Sequence, residues 1–259
     1  MFLLMPVVAV FLRVPLGDLV AALRTPAARD AFVVTAQTNG VAMLLIVGFG
    51  TPTAYWISAR RSSRLRDLVV TLVELPLVLP PAVAGIGLLA AFGRLGLLGG
   101  TFEALGVEIA FTKIAVVLAI TFVASPFYVR TAISAFESID PTLPAAARTL
   151  GAGPARVFAR VALPLSAGGL GAGAALAFAR GVGEFGATIM FAGSLQGVTQ
   201  TLSLAIYEQF DIDFNVALAI GALLVLVSLS LLLSVKVLTR WRSASTSPIP
   251  FAISSQQSI

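Results

Sequence analysis

Five stretches of this chain are apolar for about as long as a helix needs to cross a bilayer. They cover residues 33–59, 68–92, 114–136, 165–192 and 215–238. A spanning helix needs roughly twenty mostly apolar residues to cross about 30 Å of hydrocarbon. Charges or turns rich in glycine and proline bound each stretch. Composition agrees, with 58% hydrophobic residues, 11% charged residues and a mean hydropathy of +0.99. A soluble core in a chain of 259 residues could not hide that much apolar surface. In lipid the difficulty vanishes, provided the backbone bonds internally as helix. The expected class is an all-α membrane protein with about six transmembrane helices, of which these five are clear.

The sixth concerns the N-terminus. Residues 1–12 are apolar but short, with Pro6 inside and Arg13 at the end. As a cleaved signal the segment lacks a basic start and a small-residue cleavage site. It spans only if it continues past a snorkelling Arg13 to about Val20. The other readings are a peripheral helix or a misplaced start codon.

Basic residues orient the bundle. Arg60, Arg61, Arg64 and Arg66 follow the first clear span. Arg148, Arg156 and Arg160 precede the fourth, and Lys236, Arg240 and Arg242 follow the last. If the five helices alternate, all three clusters fall on one side, which is then cytoplasmic, and so is the C-terminus. The opposite loops carry Glu103 and Glu108, then Glu208, Asp211 and Asp213. A multi-pass protein of the cell membrane is expected. It would have one transmembrane domain over 1–242 and a polar cytoplasmic tail over 243–259. The net charge of +5 sits in short clusters between apolar runs, which argues against a nucleic-acid partner.

The chain has no cysteine and no histidine. That excludes disulfides, thiolate nucleophiles and thiolate metal sites, and removes the commonest general base and metal ligand. No catalytic or metal-ligating set is expected.

Residues 137–164 form a polar stretch far longer than a hairpin loop needs. Asp140 and Pro141 read as an N-cap followed by proline at the first helical position. Ala145, Ala146, Ala147, Arg148 and Leu150 favour helix, and Gly151 suits a left-handed cap. Gly153 and Pro154 start a second short helix, which Pro164 should end. Two readings stay open on composition: an amphipathic element lying on lipid headgroups, or a knob that docks into a soluble partner. The small residues Gly151, Ala152 and Gly153 would let a partner approach closely.

The run Ala145-Ala146-Ala147, then three residues, Gly151, nine residues, and Val161-Ala162-Leu163-Pro164 resembles the EAA motif of ABC importer permeases. The spacing matches throughout. Ala145 stands where that family usually has glutamate, so this position lacks the carboxylate. The resemblance implies a type I ABC importer permease fold. It also implies that this loop docks in a groove on a cytoplasmic ATPase and passes its closure to the membrane helices.

Two further runs sharpen the resemblance. Glu74-Leu-Pro-Leu-Val-Leu-Pro-Pro81 opens the second span. Phe178-Ala-Arg-Gly-Val-Gly-Glu-Phe-Gly-Ala-Thr-Ile-Met-Phe-Ala-Gly193 closes the fourth. Both are similar to molybdate permeases, and tungstate and sulfate permeases have related runs. The resemblance implies a homodimer with two cytoplasmic ATPase subunits and an extracytoplasmic oxyanion-binding protein. The ATPases would use ATP and magnesium, and this chain would bind no cofactor. It carries no GxxxxGK[ST] run, so no ATP hydrolysis of its own is expected.

Pro76, Pro80 and Pro81 remove helix hydrogen bonds in mid-span. They make either a static kink or the lining of a gate. Seven glycines between Gly168 and Gly186 favour close helix packing or movement between helices. Arg180 and Glu184 stand four apart, which puts them on one face of a continuous helix. They read as a structural ion pair or as an element of the path. With Pro80, Pro81, Gly183, Gly186 and Thr188 they form the candidate gate.

A secondary transporter would call for inverted repeats and a midplane carboxylate cluster, and neither is visible. A membrane enzyme would have to rest on carboxylates, and Glu184 has no acidic neighbour in sequence.

Overall fold

The computed structural model describes residues 4–14, 16–60 and 63–244. Every regular element among them is helical.

The frame is three long helices: α3 (Pro26–Ser58), α7 (Lys113–Glu137) and the run Pro154–Val182. All three are long and apolar enough to cross a membrane. Helix α7 packs most extensively on α3 and on the third run, so it is the centre of the bundle. Its buried residues include Ala115, Val116, Ala119, Ile120, Val123, Ala124 and Tyr128. That spacing of three and four lines a helix face. Tyr128 is buried against Gly50 of α3, and its hydroxyl lies 2.6 Å from the Thr51 hydroxyl. A buried phenol with a partner costs far less than one without.

The N-terminal segment is two helices, not one. Helix α1 (Met5–Arg13) ends at an extended Val14, and α2 (Leu16–Leu23) follows. Both pack on α13 (Phe214–Ala244). The expected continuation of one helix past Arg13 does not form. Pro15 accounts for this, because a proline disfavours the helical conformation in the residue before it.

The second expected span is broken. Helix α4 (Arg64–Val78) and α5 (Pro81–Phe92) meet at 114°. Pro76 is carried inside α4, whereas Pro80 and Pro81 together end one helix and start the next. Helix α4 buries no residue within the chain.

A short helix α6 (Gly99–Ala104) lies in the connection between α5 and α7. After α7 come α8 (Thr142–Thr149) and α9 (Pro154–Val157), then a π turn over Phe158–Ala162 and α10 (Leu163–Val182). Pro164 therefore does not end a helix. The wider π turn just before it leaves room for a proline ring and lets one hydrogen bond go unmade.

The fourth span also ends early, at Val182. Residues 183–185 break it, and a separate helix α11 (Gly186–Ala192) continues. The acidic segment between the last two spans is a helix too, α12 (Leu202–Ile212), packed on α13 and α3. Within α13, Phe214–Ser230 is the apolar stretch. The tail expected over 243–259 begins with two residues of α13, and its remainder, 245–259, lies outside the described residues.

Candidate functional site

Two regions gather the residues singled out by the sequence. One is the segment between α7 and α10, and the other is where the two broken spans meet.

In the first, Asp140 holds the start of α8. Its Oδ1 accepts from the Thr142 backbone N–H at 2.9 Å and from the Thr142 hydroxyl at 2.7 Å. These bonds favour the ionised form and hold the Asp140 carboxyl below its usual range. Helix α8 ends at Gly151, whose φ is +84°. The Gly151 N–H donates to the Arg148 carbonyl at 2.9 Å, and the Ala152 N–H to the Ala147 carbonyl at 3.0 Å. This pair of bonds is the Schellman ending expected of a left-handed glycine. Pro154 then begins α9.

The turn presents an apolar tip. Leu150 is 88% exposed and Leu143 47% exposed. Ala145, Ala146, Gly151, Gly153 and Pro154 are exposed around it, and Ala147 and Ala152 are half-buried. Val161, Leu163 and Pro164 lie apart from the tip, in the π turn and the base of α10. Behind the tip, Arg66 at the start of α4 donates to Glu137 at the end of α7 at 2.8 Å. The root of the segment is thus tied to the helix that leads into the first break.

In the second region the breaks abut. A Cβ placed on Gly186 would meet the Pro81 Cβ at 2.7 Å, and one on Gly85 would meet the Ala187 carbonyl oxygen at 2.5 Å. Only residues without side-chain carbons allow α5 and α11 to pack this closely. Glu184 lies in the break itself. Its Oε1 accepts from the Ala187 backbone N–H at 2.7 Å, capping α11. Its Oε2 lies 2.6 Å from an Arg180 nitrogen without the alignment of a hydrogen bond. The pair expected on one helix face exists, but Arg180 belongs to α10 and Glu184 lies beyond its end. The Glu184 side chain is 1% exposed and that of Arg180 is 27% exposed. A buried carboxylate is tolerated only when paired and bonded in this way.

Thr188 is fully buried in α11 and its hydroxyl has no partner among the described residues. Pro80 and Pro81 are exposed at the mouth of the first break, and Gly183 is exposed at the second. Gly183 is not crowded, so it takes part in the break but not in the close contact.

Other pairs are structural. Glu74 meets Arg130 at 3.1 Å between α4 and α7. Asp213 caps α13 by accepting from the N–H groups of Asn215 and Val216. Glu208 accepts from the Gln200 amide, and Asp211 is exposed.

Sequence reasoning passed over Asn39. It is buried in α3, and neither atom of its amide has a partner among the described residues. It faces Gly181, where a Cβ would meet its Oδ1 at 2.5 Å. An amide in the middle of an apolar run was the available signal.

The sequence profile of the family described as binding-protein-dependent transport system inner membrane component matches residues 46–244. The molybdenum transport system permease protein ModB of Mycobacterium tuberculosis is 45% identical over 226 residues. That match covers 87% of this chain and 85% of that protein. The sulfate transport system permease protein CysT of Synechococcus elongatus is 34% identical over 247 residues, covering 94% and 88%. The fold is similar to that of a bacterial alginate ABC transporter crystallised in complex with an alginate pentasaccharide-bound periplasmic protein. The TM-score is 0.74 at 17% identity, over 96% of this chain and 91% of that one.

Proposed function

This chain belongs to the family of binding-protein-dependent transport system inner membrane components, and we propose that it is the molybdate-specific permease subunit of an ATP-driven importer. It is a membrane transport subunit with the type I ABC importer permease fold. The observation that carries the mechanism is the α8–α9 segment, an exposed apolar tip with a Schellman ending, rooted beside the Arg66–Glu137 pair. The substrate rests on the greater identity to the molybdenum permease than to the sulfate permease.

In this reading two copies of residues 1–242 form the path. The tip built by Ala145, Ala146, Ala147, Leu150, Gly151, Ala152, Gly153 and Pro154 docks into a separate cytoplasmic ATPase. Val161, Leu163 and Pro164 carry its movement into α10. The ATPase binds ATP and magnesium and supplies hydrolysis. A binding protein delivers the oxyanion on the face opposite the basic clusters, and the C-terminus is cytoplasmic.

The gate is the contact of the two breaks: Pro80 and Pro81 against Gly186, with Arg180, Gly183, Glu184 and Thr188 around it. Helix breaks of this kind occur where backbone lines a cavity or packs on protein. The buried charge of Glu184 offsets Arg180, so the site holds a passing dianion weakly, as a conduction path requires.

The test is competition for uptake in proteoliposomes that contain permease, ATPase and binding protein. Molybdate uptake should fall strongly with excess tungstate and little with sulfate. Competition by sulfate alone would overturn the substrate assignment.

A further inference from the structure

Behind the α8–α9 tip, at the end of the bundle that carries the basic clusters, lies a cavity of about 820 Å³. Its floor includes Phe136 and Tyr55, whose rings meet edge to face at 5.3 Å. Arg60, Arg66 and Arg148 line its walls, against one carboxylate, Glu137.

The three arginines are not equivalent. Arg66 is satisfied by Glu137 at 2.8 Å and by Asp67 at 3.5 Å. Arg60 lies with its guanidinium carbon 3.8 Å from the centroid of the Trp56 ring. Stacking of this kind fixes the plane of the guanidinium and leaves its N–H edges free. Arg148 meets no carboxylate among the described residues. Among the described residues, Arg60 and Arg148 therefore line one cavity with no ion pair of their own, since Glu137 is taken by Arg66. One stands at the end of a frame helix and the other on the segment that leads to the tip.

We infer that this cavity is an oxyanion site in which Arg60 and Arg148 together hold a phosphate-like group. The group is either the headgroup phosphate of an anionic phospholipid or a free inorganic oxyanion. Arginine suits this ligand because its fork of donors matches two oxygens of a tetrahedral anion. A basic pocket between helix ends on the cytoplasmic side also has the character of an anionic-lipid headgroup site. An anion bound here ties α8 to the end of α3. Its occupancy then sets how freely the α8–α9 segment moves. The inference stands whatever ion the path carries.

The experiment uses the full-length permease in nanodiscs of phosphatidylcholine, with or without phosphatidylglycerol, and the Arg60→Gln/Arg148→Gln double variant beside it. Native mass spectrometry reads retained phosphatidylglycerol. Phenylglyoxal labelling of Arg60 and Arg148 reads occupancy, and is repeated in pure phosphatidylcholine with inorganic phosphate and with molybdate. A lipid site predicts phosphatidylglycerol retained at least tenfold better by the unaltered chain than by the double variant. A free-anion site predicts protection of both arginines by phosphate or molybdate in pure phosphatidylcholine. If the double variant does not fold, labelling of the unaltered chain decides alone. Absence of both retention and protection would overturn the inference. Protection only on addition of the ATPase subunit would also overturn it, because the arginines would then serve protein docking.

Discussion

Pro81 of α5 and Gly186 of α11 stand so close that a methyl group on Gly186 would lie 2.7 Å from the Pro81 Cβ. Each residue sits at the first position of a helix that restarts after a break. The two interrupted spans therefore meet at their interruptions. Backbone groups freed by the breaks are partly recovered there, as the Glu184 bond to the Ala187 N–H shows.

This contact should be sensitive to single carbons. Gly85→Ala and Gly186→Ala each place a methyl where Ala187 or Pro81 already stands. Each should cost about 1–3 kcal/mol, the usual penalty for overpacking. Gly87→Ala, two residues along α5 from Gly85 and with open space around it, should be neutral or stabilising by up to about 1 kcal/mol. Thermal melting of the solubilised protein checks the contrast. Equal effects at all three positions would remove the close contact from the account.

The Arg180–Glu184 pair should respond unequally to its two truncations. Arg180→Gln leaves a carboxylate buried without its counter-charge, which typically costs about 3–5 kcal/mol. Glu184→Gln keeps an amide oxygen able to cap the Ala187 N–H, and the freed arginine is partly exposed. Its cost should be nearer about 1–2 kcal/mol. Melting temperatures of the two variants give the order, and a reversed order would count against the geometry of the pair.

Much of this was legible from residue order. Apolar length found the frame helices, and Gly151 announced its left-handed turn because no other residue type suits that conformation so well. Asp140 announced its cap in the same way. What stayed hidden was where spans break. Pro76 and Pro164 are carried within helical runs, whereas the pair Pro80-Pro81 turns the chain by 114°. Whether a proline kinks, ends or is absorbed depends on neighbouring turns, such as the π turn before Pro164, and not on the residue alone. The break at 183–185 has no proline at all. Glu184 marks it by capping the following helix, and a spacing of four residues disguised that as one helix face. Among the glycines, Gly169 and Gly173 lie against Ala135 and Thr131 of α7, while Gly168 and Gly171 face open space. Composition could count them but not sort them.

The cap of α8 should fail in acid and only there. The Asp140 carboxyl titrates below its ordinary value of 3.8 because Thr142 bonds its ionised form. A lowered folded pKa means that the stabilisation is fully present above the unfolded pKa. It is lost as pH falls through the lower folded value. Protection of the first-turn amides of α8 from hydrogen exchange should hold from pH 7 to pH 5, after correction for intrinsic rates. It should decline only below the usual carboxylate range. Asp140→Ala should remove that protection at every pH. A decline centred near neutral pH would assign the effect to another group.

Gly151→Leu tests the tip by geometry, with a defined control. At φ +84° a side chain strains the backbone by about 1–2 kcal/mol. Space is not the difficulty, since a Cβ there would meet nothing within 4 Å. The cost therefore falls on the turn conformation, and the two Schellman bonds to Arg148 and Ala147 should loosen. Helices α3, α7 and α10 do not depend on this turn, so insertion and yield should match the unaltered chain. Gly153→Ala, at φ −66° and ψ 164°, a conformation open to any residue, and with open space around it, should leave the turn intact. If the tip seats in a partner, Gly151→Leu should reduce co-purification of the ATPase subunit and uptake by at least tenfold. Gly153→Ala adds one carbon to the docking surface without altering the turn, so it should impair both less than Gly151→Leu does. Normal uptake by Gly151→Leu would detach the tip from coupling, while loss of both with poor insertion would point to misfolding of the chain.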